Sequence, residues 1–193
     1  MASLKDFFLS KVRVKLLKIF LQNPGEIYYV RELVRMCEEE INAIRRELLR
    51  MDKNGMVYKE KRGNRLYYGF KQDYLYFNEL LQLVSKSSGL GGQIIKERNR
   101  LGKIKYALLS GKFVRNMPHQ ETDVELMLVG DIVMTQIAAL IDRYETDTKK
   151  VVNYSVMSKD DFEFRKKRRD PFIYQILLGS RVMLLGDEEE LVG

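Results

Sequence analysis

Residues 30–70, VRELVRMCEEEINAIRRELLRMDKNGMVYKEKRGNRLYYGF, decide the fold of the first half of the chain. Val30, Leu33, Val34 and Cys37 recur at helical spacing, which predicts a short helix over 29–37. After Glu38-Glu39-Glu40, the apolar set Ile41, Ile44, Leu48 and Met51 predicts a longer helix over 40–53, with Asn42, Arg45, Arg46, Glu47 and Arg50 largely off its apolar face. Asn54-Gly55 ends it, because glycine takes the left-handed conformation that closes a helix without a Cβ clash. Residues 56–60 and 65–70 are rich in aromatic and β-branched side chains, and Gly63-Asn64 between them predicts a tight hairpin turn. Upstream, Ser10 can cap a helix carrying Val12, Val14, Leu16, Leu17, Ile19, Phe20 and Leu21, which stops at Asn23-Pro24-Gly25. Downstream, residues 74–86 predict a helix presenting Phe77, Leu80, Leu81 and Val84, and the small residues of 85–92 (SKSSGLGG) predict a flexible linker.

Helix, short helix, turn, longer helix, then a hairpin with a basic tip is the order of a winged helix-turn-helix, whose third helix enters the major groove. The charges fit that use. Asn42, Arg45 and Arg46 sit on the third helix, where they can reach base edges, while Lys59, Lys61, Arg62 and Arg65 surround the hairpin, where they can meet phosphate. Glu38-Glu39-Glu40 runs against this, placing three carboxylates near the approaching phosphate. Residues 30–34 with 41–57 resemble the winged-helix regulators of the ArsR/MarR type, over about residues 10–87. The resemblance implies a sequence-specific transcriptional regulator that binds double-stranded DNA, often as a homodimer. The cysteine and histidine clusters through which such regulators sense metals are missing here. The expected dimer surface is the 74–86 helix through Phe77, Leu80, Leu81 and Val84, which also suit a domain core.

The second half alternates strand and helix patterns: a helix over 93–100, strands over 105–109, 124–129, 151–157 and 181–185, and helices over 132–144, 159–168 and 171–178. Leu109-Ser-Gly-Lys-Phe-Val-Arg115, with Ser110-Gly111-Lys112 read as a polar loop, precedes Thr122-Asp-Val-Glu-Leu-Met-Leu-Val-Gly-Asp131. The pair resembles the small nucleotidyltransferase-fold domains, whose signature is Gly-Ser, a loop, and Asp-x-Asp/Glu on a strand. In that family carboxylates hold Mg²⁺ on the nucleotide phosphates. Asp123 and Glu125 match the pair, and alternation along a strand would put both on one face. The sequence departs from the family at Lys112, where the loop has serine, and at Asn153, where a third carboxylate is expected. The expected outcome is a retained fold with lost transfer chemistry: no cofactor, no catalytic or metal-binding residue, and Gly111 with Lys112 as the candidate contacts to a nucleotide. Were the site active, Asp123 and Glu125 would bind Mg²⁺.

The fold class expected is therefore α+β: a winged helix-turn-helix domain over 1–87 and a small α/β nucleotidyltransferase-like domain over 93–193. Residues 1–88 carry 17 basic against 11 acidic residues and the remainder 17 against 16, so the excess that attracts a polyanion lies in the first half. A single cysteine rules out an intramolecular disulfide, and no apolar run approaches the roughly 20 residues that span a bilayer, so a cytoplasmic protein is expected. His119, Cys37 and the 166–169 run KKRR read as a loop residue, a small core residue and a solvated helix end. Two alternatives are an active nucleotidyltransferase guided by the winged helix, and an antitoxin-like module with a toxin-protein partner.

Overall fold

The computed structural model describes residues 10–118, 120 and 123–193. It is a mixed α/β structure with two sheets, and the chain divides into two compact units, Met1–Ser87 and Ser88–Gly193. No helix among the described residues is long and apolar enough to cross a membrane.

In the first unit, helix α1 (Lys11–Gln22) starts at Ser10, whose side chain accepts the Arg13 N–H. Strand β1 (Ile27–Tyr29) leads directly into helix α2 (Val30–Cys37), and helix α3 (Ile41–Lys53) follows. The helix expected to begin at Tyr29 thus starts one residue later, because Ile27–Tyr29 pairs with the hairpin and extends it to three strands. The hairpin is β2 (Val57–Arg62) and β3 (Arg65–Phe70), giving the order β1-β3-β2, all antiparallel. Gly63 is the first central residue of the two-residue turn and has φ +56°, the II′ pattern whose twist suits a hairpin.

Helix α4 (Phe77–Ser87) returns across the unit and packs on α1. Phe77, Leu80, Leu81 and Val84 are all buried there, so the surface expected for dimerisation is core instead. Burying such side chains is worth about 1.5–3 kcal/mol each, which explains why that face turns inward. Phe20 of α1 contacts Tyr28 and Phe70 at centroid distances of 5.8 and 6.3 Å, and Phe70 reaches Phe77 at 6.1 Å. This aromatic chain joins α1, the sheet and α4.

The linker expected over 85–92 is helix on both sides of Ser88, since α5 (Gly89–Glu97) begins at once. Leu90, Gly91 and Ile94 are buried, so tertiary packing overrides the poor helix propensity of the glycines. The second unit continues with β4 (Gly102–Ser110), the single turn α6 (Gly111–Val114), β5 (Leu126–Ile132), α7 (Met134–Thr148), β6 (Tyr154–Met157), α8 (Lys159–Lys167), α9 (Pro171–Leu178), β7 (Arg181–Leu185) and α10 (Glu188–Val192). Its sheet has the order β6-β5-β4-β7, with β5 and β6 parallel and the other pairs antiparallel.

Both sheet faces are buried. Tyr106, Leu108, Met127, Val129 and Met183 share a cluster with Phe162 of α8, Ile173 of α9 and Leu191 of α10. The alternate residues Ala107, Leu109, Leu126 and Leu128 are buried as well. The loop expected at Ser110-Gly111-Lys112 is a capped helical turn, with the Ser110 hydroxyl accepting the Phe113 N–H at 3.2 Å.

Candidate nucleic-acid interface

Helix α3 is seated by a charged contact on its inner side. Ile44, Leu48 and Met51 are buried as the apolar spacing predicts, but Glu47, expected on the outer face, is only 3% exposed. It accepts from the Arg13 Nε, and Ser10 Oγ donates to its Oε2 at 3.0 Å. Arg50 lies 3.6 Å away. A carboxylate this buried persists only when paired and hydrogen-bonded, and here the partners come from the start of α1. The contact fixes where the outer face of α3 points.

That outer face carries Asn42, Arg45, Arg46 and Leu49, all exposed. Neither Arg45 nor Arg46 makes an ion pair with the described residues. The acidic stretch before α3 is partly neutralised. Lys15 of α1 donates to Glu39 at 2.6 Å and to the Cys37 carbonyl at 2.7 Å, and the hydrogen bond to Glu39 raises the Lys15 pKa. Glu38 closes α2 in the left-handed conformation, φ 51°, and it and Glu40 remain exposed. Cys37 is buried at the end of α2, and burial pushes its thiol up to about 11, the behaviour of a core residue rather than a nucleophile.

The cations of the hairpin fall into two groups. Lys59 donates to Asp52 on α3 at 2.7 Å, and Arg62 to Glu60 at 2.7 Å. Lys61 and Arg65 make no ion pair with the described residues, and the Arg65 guanidinium lies 5.1 Å from the centre of the Tyr29 ring. Between α3 and the hairpin runs a groove of about 650 Å³. Arg45 and Leu49 line it from α3, Arg65 and Leu66 from β3, and Tyr29 and Arg31 from β1 and the start of α2. Sequence reasoning missed Tyr29 and Arg31. Arg31 stands in plain view one residue into α2, but only the pairing of β1 with β3 shows that it faces the same groove as Arg45.

In the second unit, the two carboxylates expected on one strand face lie ahead of the strand, because β5 begins at Leu126. They diverge. Asp123 accepts from Lys112 Nζ at 2.9 Å and from the Gln120 N–H at 3.0 Å. Glu125 is 1% exposed, and its Oε2 accepts the Asn153 N–H at 2.6 Å. Asn153, the residue before β6, meets Glu125 through its backbone, and its carbonyl also accepts the Glu125 N–H at 2.8 Å. Gly111 is pressed against the α9–β7 loop: its N–H donates to the Ser180 carbonyl at 2.6 Å, and a Cβ there would lie 1.9 Å from Ser180 Oγ. The glycine is thus needed for close packing, and its N–H is already bonded. Thr122 and His119 lie outside the described residues.

Beside these groups is a cavity of about 220 Å³, whose lining includes the polar Lys112, Asp123 and Ser180 and the apolar Leu108, Met127 and Phe172. Arg181 also lines it, but its Nη1 donates to the carbonyls of Ile176, Leu177 and Gly179 and its Nε to Glu188. Among the described residues no three side chains of His, Cys, Asp or Glu are grouped to hold a metal ion. The residues Lys166–Arg169 end α8, with Arg168 stacked on Phe164 at 4.4 Å. In comparisons with protein-family models, curated proteins and solved structures, nothing matched the chain.

Proposed function

We propose that the chain is a sequence-specific regulator of transcription that binds double-stranded DNA through its first unit. The observation that carries this reading is the pairing of Arg45 and Arg46, exposed on α3 and outside any ion pair with the described residues, with a basic hairpin across a groove of about 650 Å³. A helix that presents Asn and Arg can reach base edges in a major groove, since arginine reads guanine and asparagine reads adenine through paired hydrogen bonds. Lys61 and Arg65 then meet neighbouring phosphates. Glu47 and its partners supply the rigid seat such reading needs.

The second unit, read as nucleotidyltransferase-like, acts in ligand sensing or assembly rather than transfer. That reading is supported by the burial of Glu125, which does not line the cavity, and by the hydrogen bond from Lys112 to Asp123. Two-fold pairing, which would let the unit read a palindrome, would use a surface other than Phe77, Leu80, Leu81 and Val84. The test is selection of bound fragments from a library of genomic duplexes. Enrichment of a shared motif protected by the protein is the expected result, and recovery of fragments without sequence preference would defeat the reading.

A further inference from the structure

The groove takes Leu66 and Tyr68 from one side of the hairpin sheet and Tyr29 and Arg65 from the other, and that other side has a chemistry of its own. Strand register places Tyr29 opposite Tyr67, Tyr67 opposite Glu60, Tyr58 opposite Gly69, and Arg65 opposite Arg62. Paired residues share a face, so each of the three strands contributes one tyrosine to this side. The opposite side holds Tyr28, Val57, Tyr68 and Phe70, all buried in the core. The outer tyrosines are not: Tyr58 is exposed, and Tyr29 and Tyr67 are half-buried.

Three features distinguish this face from an ordinary sheet surface. A Cβ at Gly69 would lie 2.5 Å from Tyr58 Cζ and 2.6 Å from its hydroxyl, so the ring lies flat across β3 in space that only glycine leaves. A strand-interior glycine weakens the strand, and here it leaves a broad aromatic surface parallel to the sheet. Tyr29 and Tyr67 lie 5.9 Å apart between two guanidinium groups, Arg65 over Tyr29 at 5.1 Å and Arg62 over Tyr67 at 5.5 Å. Arg35 adds a third cation, donating to the Tyr29 hydroxyl at 3.4 Å. Cross-strand aromatic pairs also stabilise sheets, but that need is met by the core side, and it does not call for cations.

We propose that this outer face binds single-stranded nucleic acid, with bases stacking on Tyr58 and Tyr67 and the arginines at the phosphates. Sequence-tolerant single-strand binding is built from these parts, a cationic track and aromatic rings for successive bases. Guanidinium planes serve as further stacking surfaces. An exposed aromatic face also suits a proline-rich peptide, but three arginines against Glu60, the one carboxylate that the described strands place on this face and itself bonded to Arg62, favour a polyanion. Tyr29 and Arg65 belong to this face and to the groove alike, so an unpaired strand beside a bound duplex would have a continuous path. The inference extends the duplex reading without depending on it, since no part of α3 belongs to this face.

The test is fluorescence anisotropy of the full chain with labelled oligothymidylate and oligouridylate of about 16 nucleotides, the upper range for one binding fold, beside a duplex and a proline-rich peptide. Tyr58→Leu and Tyr67→Leu should each lower single-strand affinity roughly tenfold while changing duplex affinity less than about twofold, and Arg45→Ala should do the reverse. The stronger of the two oligonucleotides identifies DNA or RNA as the source. Single-strand affinity in the leucine variants within about twofold of wild type overturns the proposal, as does binding of the peptide alone or of neither oligonucleotide. Should either variant unfold, ultraviolet crosslinking of the wild type to oligothymidylate decides: adducts on Tyr58 or Tyr67 support the proposal, and adducts confined to α3 contradict it.

Discussion

The groove of the first unit and the cavity of the second are both concave and both lined by cations, yet they differ in what those cations already hold. Arg31, Arg45 and Arg65 around the groove make no ion pair with the described residues. Around the cavity, Lys112 is bonded to Asp123, and Arg181 is consumed by Glu188 and by three carbonyls at the end of α9. The difference teaches that a basic excess points to a polyanion only where the charges are uncommitted. A paired cation must break one ion pair to make another, whereas the groove arginines have no ion pair with the described residues to break.

The largest effect should come from unseating the groove. Arg13→Met leaves Glu47 buried without its main partner, and unfolding in urea should show a loss of about 3 kcal/mol for the first unit, with weaker duplex binding. Unchanged stability would mean that α3 is held by its apolar face alone. The matching change in the second unit is Gly111→Ala, whose new methyl meets Ser180. Overpacking of this kind should cost about 1–3 kcal/mol there, with duplex affinity unaltered. Loss of DNA binding in this variant would break the separation drawn between the two sites.

Much of this contrast was legible in the sequence, and the gaps have physical causes. Ile41, Ile44, Leu48 and Met51 give α3 away because a buried helix face repeats every three or four residues. Glu47 defeats that reading: it lies on the buried side, and its partners Ser10 and Arg13 are more than 30 residues away, a contact no local pattern reports. Strand β1 is three residues long and owes its existence to pairing with β3, so its own sequence carries little signal. The glycines of 89–92 read as a linker because their intrinsic cost in a helix is plain, while the burial of Leu90 and Ile94 that offsets it is tertiary. At the second site, Asp123 and Glu125 alternate as strand residues do, but the strand starts only at Leu126, and Glu125 is held by backbone bonds to Ser110 and Asn153 while Asp123 is held by Lys112 and Gln120.

A third experiment sharpens the comparison within the hairpin. Lys61→Ala should reduce the slope of log affinity against log salt by about one, whereas Lys59→Ala should reduce it by less, because Asp52 already holds Lys59. Equal changes would show that the ion pair opens on binding. The smallest effect is expected from the second unit's carboxylates. With labelled nucleoside triphosphates, Mg²⁺ or Mn²⁺ and candidate acceptors, the wild type should transfer no more label than an Asp123→Ala, Glu125→Ala double variant. Transfer that disappears in the double variant would make the active nucleotidyltransferase the better reading.

The central claim, that the exposed side of α3 reads bases, is tested most directly by the affinity of Arg45→Ala for its selected operator and for random duplex DNA of the same length. The account predicts a loss of about 1–3 kcal/mol at the operator, a much smaller loss on random DNA, and relaxed preference at one base position. An equal loss on both would make Arg45 a phosphate contact, and no loss on either would remove α3 from the interface.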